Sequence, residues 1–108
     1  MPKTSHRAPP GLDEVIRRIR SVAKPERIIL FGSWARGAPH PDSDVDLLVV
    51  KKGARRRELA MRIYRALIGV GRAVDVVVVT PEDIERYGDN AATVIAPALR
   101  EGRVVYAA

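Results

Sequence analysis

The chain has 108 residues, 46% of them hydrophobic, no cysteine, and a net charge of +6 from 19 Lys and Arg against 13 Asp and Glu. That length suits one domain with one modest core, and the missing cysteines exclude disulfides and thiolate metal centres. With neither an 18-residue apolar run nor a leader pattern, the chain reads as soluble and cytoplasmic. Its basic surplus favours nucleotides, nucleic acid or an acidic protein partner without choosing among them.

Residues 1–10 are polar and aperiodic, with Pro2, Pro9 and Pro10, and read as a loose tail in which His6 is solvated; residues 11–108 form the domain. From Gly11 to Ala23 the positions of Leu12, Val15, Ile16, Ile19 and Val22 predict an amphipathic helix that Pro25 stops. Arg17, Arg18 and Arg20 fall mainly on its solvated side. Arg27 to Phe31 predicts a buried strand. It delivers Gly32-Ser33 to its C-terminal end, where α/β proteins tend to hold ligands.

Gly32 allows a tight turn and a close backbone approach to a ligand. Ser33 offers a hydroxyl and is expected to cap a one-turn helix through Trp34, Ala35 and Arg36, whose free N–H groups suit anionic oxygens. Arg36 adds a guanidinium that can grip phosphate in two places. Trp34 can stack on a base, but an aromatic on so short a turn more often packs locally. Residues 37–42 form a loop. His40 lies there between Pro39 and Pro41, without the partner ligands that a His-based site needs.

Asp44 to Val50 predicts the second strand. Alternation puts Asp44 and Asp46 on one side and Val45, Leu47 and Val49 on the other. Bare carboxylates that close, about 6–7 Å apart along the strand, repel each other unless a cation neutralises them. They form a natural seat for Mg²⁺, an oxygen-binding ion that shares its ligands with phosphates.

Lys51 to Arg57 is densely basic. A nucleic-acid contact can arise here, yet no aromatic is interleaved to stack bases, so a charged turn into a helix is favoured. Glu58 to Gly69 predicts that helix, with Leu59, Ile63, Ala66, Leu67 and Val70 as its stripe. Arg72 to Thr80 predicts a third strand whose unbroken valines imply cover on both faces. Asp75 interrupts it, and a charge inside an apolar strand is costly unless paired or metal-bound. If this strand lies beside the second, Asp75 joins Asp44 and Asp46; the alternative is a solvated strand-end residue. Thr80 and Pro81 open a short helix ending near Gly88. A last helix from Asn90 or Ala91 to Glu101 should be kinked or split by Pro97, and Arg103 to Tyr106 closes as a strand. Helices and strands in this order make an α/β (α+β) chain.

Gly32-Ser33-Trp34-Ala35-Arg36-Gly37 and Ser43-Asp44-Val45-Asp46-Leu47, with ten residues between Ser33 and Asp44, together resemble the signature of the DNA polymerase β-like nucleotidyltransferase superfamily. The match is closest to its minimal nucleotidyltransferases (MNT domains), whose hallmark reads G-S-x-x-R-G and then S-D-x-D-L. Their terminal E-G-x-x-L/V-Y has its counterpart in Glu101 to Tyr106. The resemblance implies a small mixed sheet flanked by helices. It further implies transfer of a nucleoside monophosphate, AMP from ATP, with two Mg²⁺ ions held by Asp44, Asp46 and Asp75. Gly32 and Ser33 would hold the β- and γ-phosphates, Arg36 would offset their charge, and Ser43 would contact phosphate. The chain has no helical acceptor domain like that of longer relatives, so another molecule is expected to present the acceptor. MNT proteins are commonly paired with an all-helical HEPN toxin, whose tyrosine receives the AMP. Two other readings stand beside this one: a module that neutralises its partner by contact alone, and a transferase acting on a small molecule or an RNA end.

Overall fold

The computed structural model describes residues 8–37, 44–90 and 93–108. In chain order the elements are α1 (Leu12–Ala23), β1 (Arg27–Phe31), a 3₁₀ turn (Gly32–Trp34), β2 (Val45–Val50), α2 (Arg56–Ala66), β3 (Val74–Val79), α3 (Pro81–Tyr87), α4 (Ile95–Glu101) and β4 (Arg103–Ala107). The four strands form one mixed sheet in the order β3-β2-β1-β4. β1 runs antiparallel to both β2 and β4, whereas β2 and β3 are parallel. Parallel neighbours need a crossover rather than a hairpin, and α2 supplies it.

Strand alternation builds a core on each side of the sheet. On one side Ile28, Leu30, Val45, Leu47, Val49, Val74, Val76 and Val78 meet Val15 and Ile19 of α1 and Leu59 and Ile63 of α2. On the other, Ile29, Leu48, Val50 and Val79 meet Ile95 and Ala98 of α4, with Ile84 and Tyr87 of α3 packed around them. Leu47, Leu48 and Val49 are all wholly buried, so β2 is covered on both faces. Full burial of each such side chain stabilises the fold by about 1.5–3 kcal/mol.

Three expectations are corrected. Pro97 neither kinks nor splits a helix. It is the third residue of α4, which starts at Ile95, so it sits in the first turn, where its missing N–H has no helical partner to lose. α2 begins at Arg56 and ends at Ala66, because its last buried contact is made by Leu67 just before two glycines. Arg18 is also more than a solvated charge: its guanidinium donates to the Ala66 and Ile68 carbonyls at 3.3 and 2.9 Å. It thereby closes the C-terminal end of α2 onto α1. Glu14 steadies this arginine and its neighbour, and hydrogen bonds from Arg17 and then Arg18 lower the Glu14 carboxyl to about 2.

α3 starts as expected, with Thr80 as cap and Pro81 in first position. The Asp83 N–H donates to the Thr80 hydroxyl at 3.1 Å, and the Thr80 N–H donates to the Asp83 carboxylate at 2.9 Å. Burial pushes the Asp83 carboxyl up, but the Thr80 bonds and the Arg56 guanidinium outweigh it, and the net shift is downward. A carboxyl depressed on folding adds stability above its ordinary value of 3.8, and that stability is lost as pH falls through the depressed value. Thr80→Ala is expected to cost about 1 kcal/mol at neutral pH in denaturant unfolding, with the deficit shrinking at the acid end. An unchanged midpoint at neutral pH would remove the cap from this account.

Candidate active site

The site lies where β1 ends and β2 and β3 begin. Phe31 leaves β1 in extended conformation, and Gly32 turns the chain at φ 74. The Ala35 and Arg36 N–H groups both donate to the Gly32 carbonyl at 3.1 Å. The turn therefore begins two residues earlier than expected: Phe31 takes the cap position, and no side chain caps it. Ser33 lies inside the turn rather than capping it.

Asp46 stands opposite Phe31 across the β1–β2 ladder and opposite Asp75 across the β2–β3 ladder. Residues opposite each other in a sheet point to the same side, so Asp46 and Asp75 share the face that carries α3 and α4. Asp44 immediately precedes β2 in the same alternation. Further along, that face is covered by Ile95 and Ala98; at this end Asp44 and Asp75 are exposed and Asp46 is half-buried. The cost of burial is thus not what pairs Asp75, contrary to the expectation from its apolar neighbours in sequence. It is the second residue of its strand, and strand register places it beside Asp46.

The carboxylates feel one another. Burial, then the charges of Asp75 and Asp44 and a hydrogen bond with Asp75, push the Asp46 carboxyl above its ordinary range, and the Arg36 charge pulls it back. The Gly32 backbone lies directly against this group, and a Cβ on Gly32 would overlap the Asp46 carboxylate oxygen. Arg36 is exposed and meets the Glu101 carboxylate, at the end of α4, at 3.5 Å. Glu101 is legible in the sequence only as part of the terminal stretch, and 65 residues of separation leave no local signal for this pairing. Trp34 is buried, in line with the packing alternative, and the Arg72 guanidinium stands 5.4 Å from its ring centre. Ser43, Asp42 and His40, like His6, lie outside the described residues.

The donor set tests whether a metal fits. Carboxylate oxygens suit a hard cation such as Mg²⁺, and beside burial the charges of Asp75 and Asp44 add to the upward push on Asp46. Among the described residues, no group of three or more His, Cys, Asp or Glu is gathered closely enough to hold a metal ion by itself. Asp46 and Asp75 stand opposite each other in strand register, and Asp44 adds its charge. Such a pair keeps open positions for oxygens from a phosphate, the usual manner in which Mg²⁺ is held.

Fold and site together define an α+β domain with carboxylates gathered beside a glycine turn. A family model described as "Nucleotidyltransferase domain" matches residues 12–100, and the chain belongs to that family. Among solved structures, it is similar to one described as a minimal nucleotidyltransferase, at 26% identity and a TM-score of 0.58, covering 93% of this chain and 98% of the other. A structure described as a nucleotidyltransferase from Sulfolobus solfataricus is 23% identical with a TM-score of 0.63, covering 90% of this chain and 78% of that one. A toxin–antitoxin structure with AMP-PNP is 24% identical with a TM-score of 0.54, covering 89% of this chain and 73% of that one. These likenesses bear out the small mixed sheet flanked by helices. No curated protein matches the chain. Among the described residues, no helix is long and apolar enough to cross a membrane.

Proposed function

We propose that the chain transfers a nucleoside monophosphate, AMP from ATP, to a hydroxyl group, with a tyrosine of a HEPN-type helical toxin as acceptor, and so acts as an antitoxin. The observation that carries the transfer is the register that sets Asp75 beside Asp46, next to Gly32 and within reach of the Arg36 charge. Membership of the nucleotidyltransferase domain family supports the reaction type. The toxin–antitoxin neighbour with AMP-PNP supports the donor and the biological setting.

Asp44, Asp46 and Asp75 would hold two Mg²⁺ ions, which when bound would offset charge on the attacking hydroxyl oxygen and on the pyrophosphate released as its bond to the α-phosphorus breaks. Asp75, the more open of the close pair, receives the proton of the attacking hydroxyl. Gly32 brings backbone N–H groups near the β- and γ-phosphates, Ser33 adds its hydroxyl, and Ser43 is assigned a phosphate contact. Arg36 offsets the triphosphate charge, exchanging the exposed Glu101 carboxylate for phosphate. An exposed pair of this kind is worth about 0–1 kcal/mol, so the exchange costs little.

The test is incubation with Mg²⁺, ATP labelled on the α-phosphate, and the product of the adjacent reading frame. Label is expected on a tyrosine of that product, and its release by phosphodiesterase would confirm the linkage. A tight complex without label would replace this reading with neutralisation by contact, and label on RNA or a small molecule would change the acceptor.

A further inference from the structure

The outward side of α2 carries exposed apolar side chains set among its arginines. Its inward side buries Leu59 and Ile63, followed by Leu67. Opposite them Met61, Tyr64 and Ile68 are 51%, 43% and 76% exposed. Met61 and Tyr64, three residues apart, lie on one helical face, and Ile68 follows in the turn just past the end of the helix. Arg57 and Arg65, at four-residue steps on either side of Met61, share that face. Both are exposed, and neither makes an ion pair among the described residues. Glu58, the one acidic residue of α2, meets Arg55 at 3.6 Å.

Three observations restrict what can cover this face. The Tyr64 hydroxyl accepts the Val76 N–H at 2.8 Å. β3 is an edge strand, so its free edge is already blocked near the middle, and a partner adding a strand would meet that block. A second copy of the chain would set arginine against arginine on a molecule already at +6. A nucleic-acid strand would satisfy the arginines but leave Met61 and Ile68 in water, with Tyr64 alone to stack a base. Apolar side chains interleaved with guanidinium groups that make no ion pair among the described residues call for an apolar stripe bordered by carboxylates.

We propose that the outward face of α2 docks an amphipathic helix of a partner protein, its apolar stripe flanked by Asp and Glu. Met61 and Ile68 anchor the stripe, Tyr64 covers its edge, and Arg57 and Arg65 pair with the flanking acids. The C-terminal end of α2 leads through residues 67–73 into the strand bearing Asp75, although α2 lies on the face of the sheet opposite the carboxylates. The binding step needs neither nucleotide nor metal.

The probe is a fluorescent helical peptide with leucines along one face and glutamates beside them, read by anisotropy against the full chain. A twin peptide carries lysines in place of the glutamates. The acidic peptide is expected to bind with a Kd below about 100 μM at low salt. The lysine twin should bind at least about tenfold more weakly, as should the acidic peptide to either Met61→Glu/Ile68→Glu or Arg57→Glu/Arg65→Glu, a difference of about 1.4 kcal/mol. If the glutamate pair unfolds by circular dichroism, Met61→Ser/Ile68→Ser is read instead. The proposal is overturned if no peptide binds, if both bind equally, or if the acidic peptide ignores the substitutions. It is equally overturned if sedimentation shows a dimer that Met61→Glu/Ile68→Glu dissolves, or if an RNA oligonucleotide binds this face through the arginines alone. Because AMP-PNP binding should be unaltered in these variants, failure here is distinguishable from failure of the transfer reading.

Discussion

Asp75→Asn is expected to slow nucleotidyl transfer by about 10²–10⁴-fold, the span that a positioned general base supplies, while leaving nucleotide binding largely in place. The amide keeps the shape of the carboxylate but can neither take a proton nor hold a cation by charge. The same substitution removes a negative charge that pushes the Asp46 carboxyl up, so Asp46 should titrate lower in the variant, a shift readable by NMR. A carboxyl raised on folding adds stability below its ordinary value of 3.8 and loses it as pH rises through the raised value. Relieving the repulsion should therefore leave the variant slightly more stable than the native chain at neutral pH, though far slower in transfer. Asp44→Ala, which removes the side chain's oxygens outright, should weaken metal binding more than Asp75→Asn, whose amide oxygen can still reach the cation. Transfer at the native rate in Asp75→Asn would remove Asp75 from the reaction; an inactive variant that is also destabilised would point to a structural role instead.

Gly32→Ala should damage both fold and site. At φ 74 an alanine is strained, and its Cβ would overlap the Asp46 carboxylate. Left-handed strain costs about 1–2 kcal/mol, and the overlap must also displace Asp46 or the turn, so a stability loss of about 1–3 kcal/mol is expected. Transfer should fall to background. Gly53 provides the control, with φ 71 and open space for 4 Å around the point a Cβ would occupy: Gly53→Ala should lose stability through strain alone and keep its transfer rate. Equal rates in the two alanine variants would mean that the Gly32–Asp46 contact has no part in the reaction.

What could be read from the sequence was whatever depends on a short period. Alternation fixed the faces of Asp44, Asp46, Val45, Leu47 and Val49, and the structure keeps them. The end of α1 and the start of α3 follow from Pro25, Thr80 and Pro81, which act within one turn. The meeting of Asp75 with Asp46 was conditional on strand order, which the crossover through α2 provides; the cost of a buried charge plays no part in it, since Asp75 is exposed. Long-range partners were invisible. Nothing near Arg36 announces Glu101, and nothing near Arg18 announces the end of α2, because those pairings depend on how α4 and α2 lie on the sheet. Pro97 misled because its cost depends on helix position, and only the structure shows that α4 starts two residues before it. Ser33 misled in the same way, since the backbone turn starts at Gly32, two residues before the Trp34 start that a Ser33 cap implies.

The most direct measurement is the anomalous difference map of crystals grown with Mn²⁺ and AMP-PNP. The account predicts manganese peaks bounded by the Asp44, Asp46 and Asp75 carboxylates, with the triphosphate lying along the turn that begins at Gly32. Bound nucleotide with manganese liganded away from Asp46, or carboxylates that stay clear of both metal and phosphate, would contradict it.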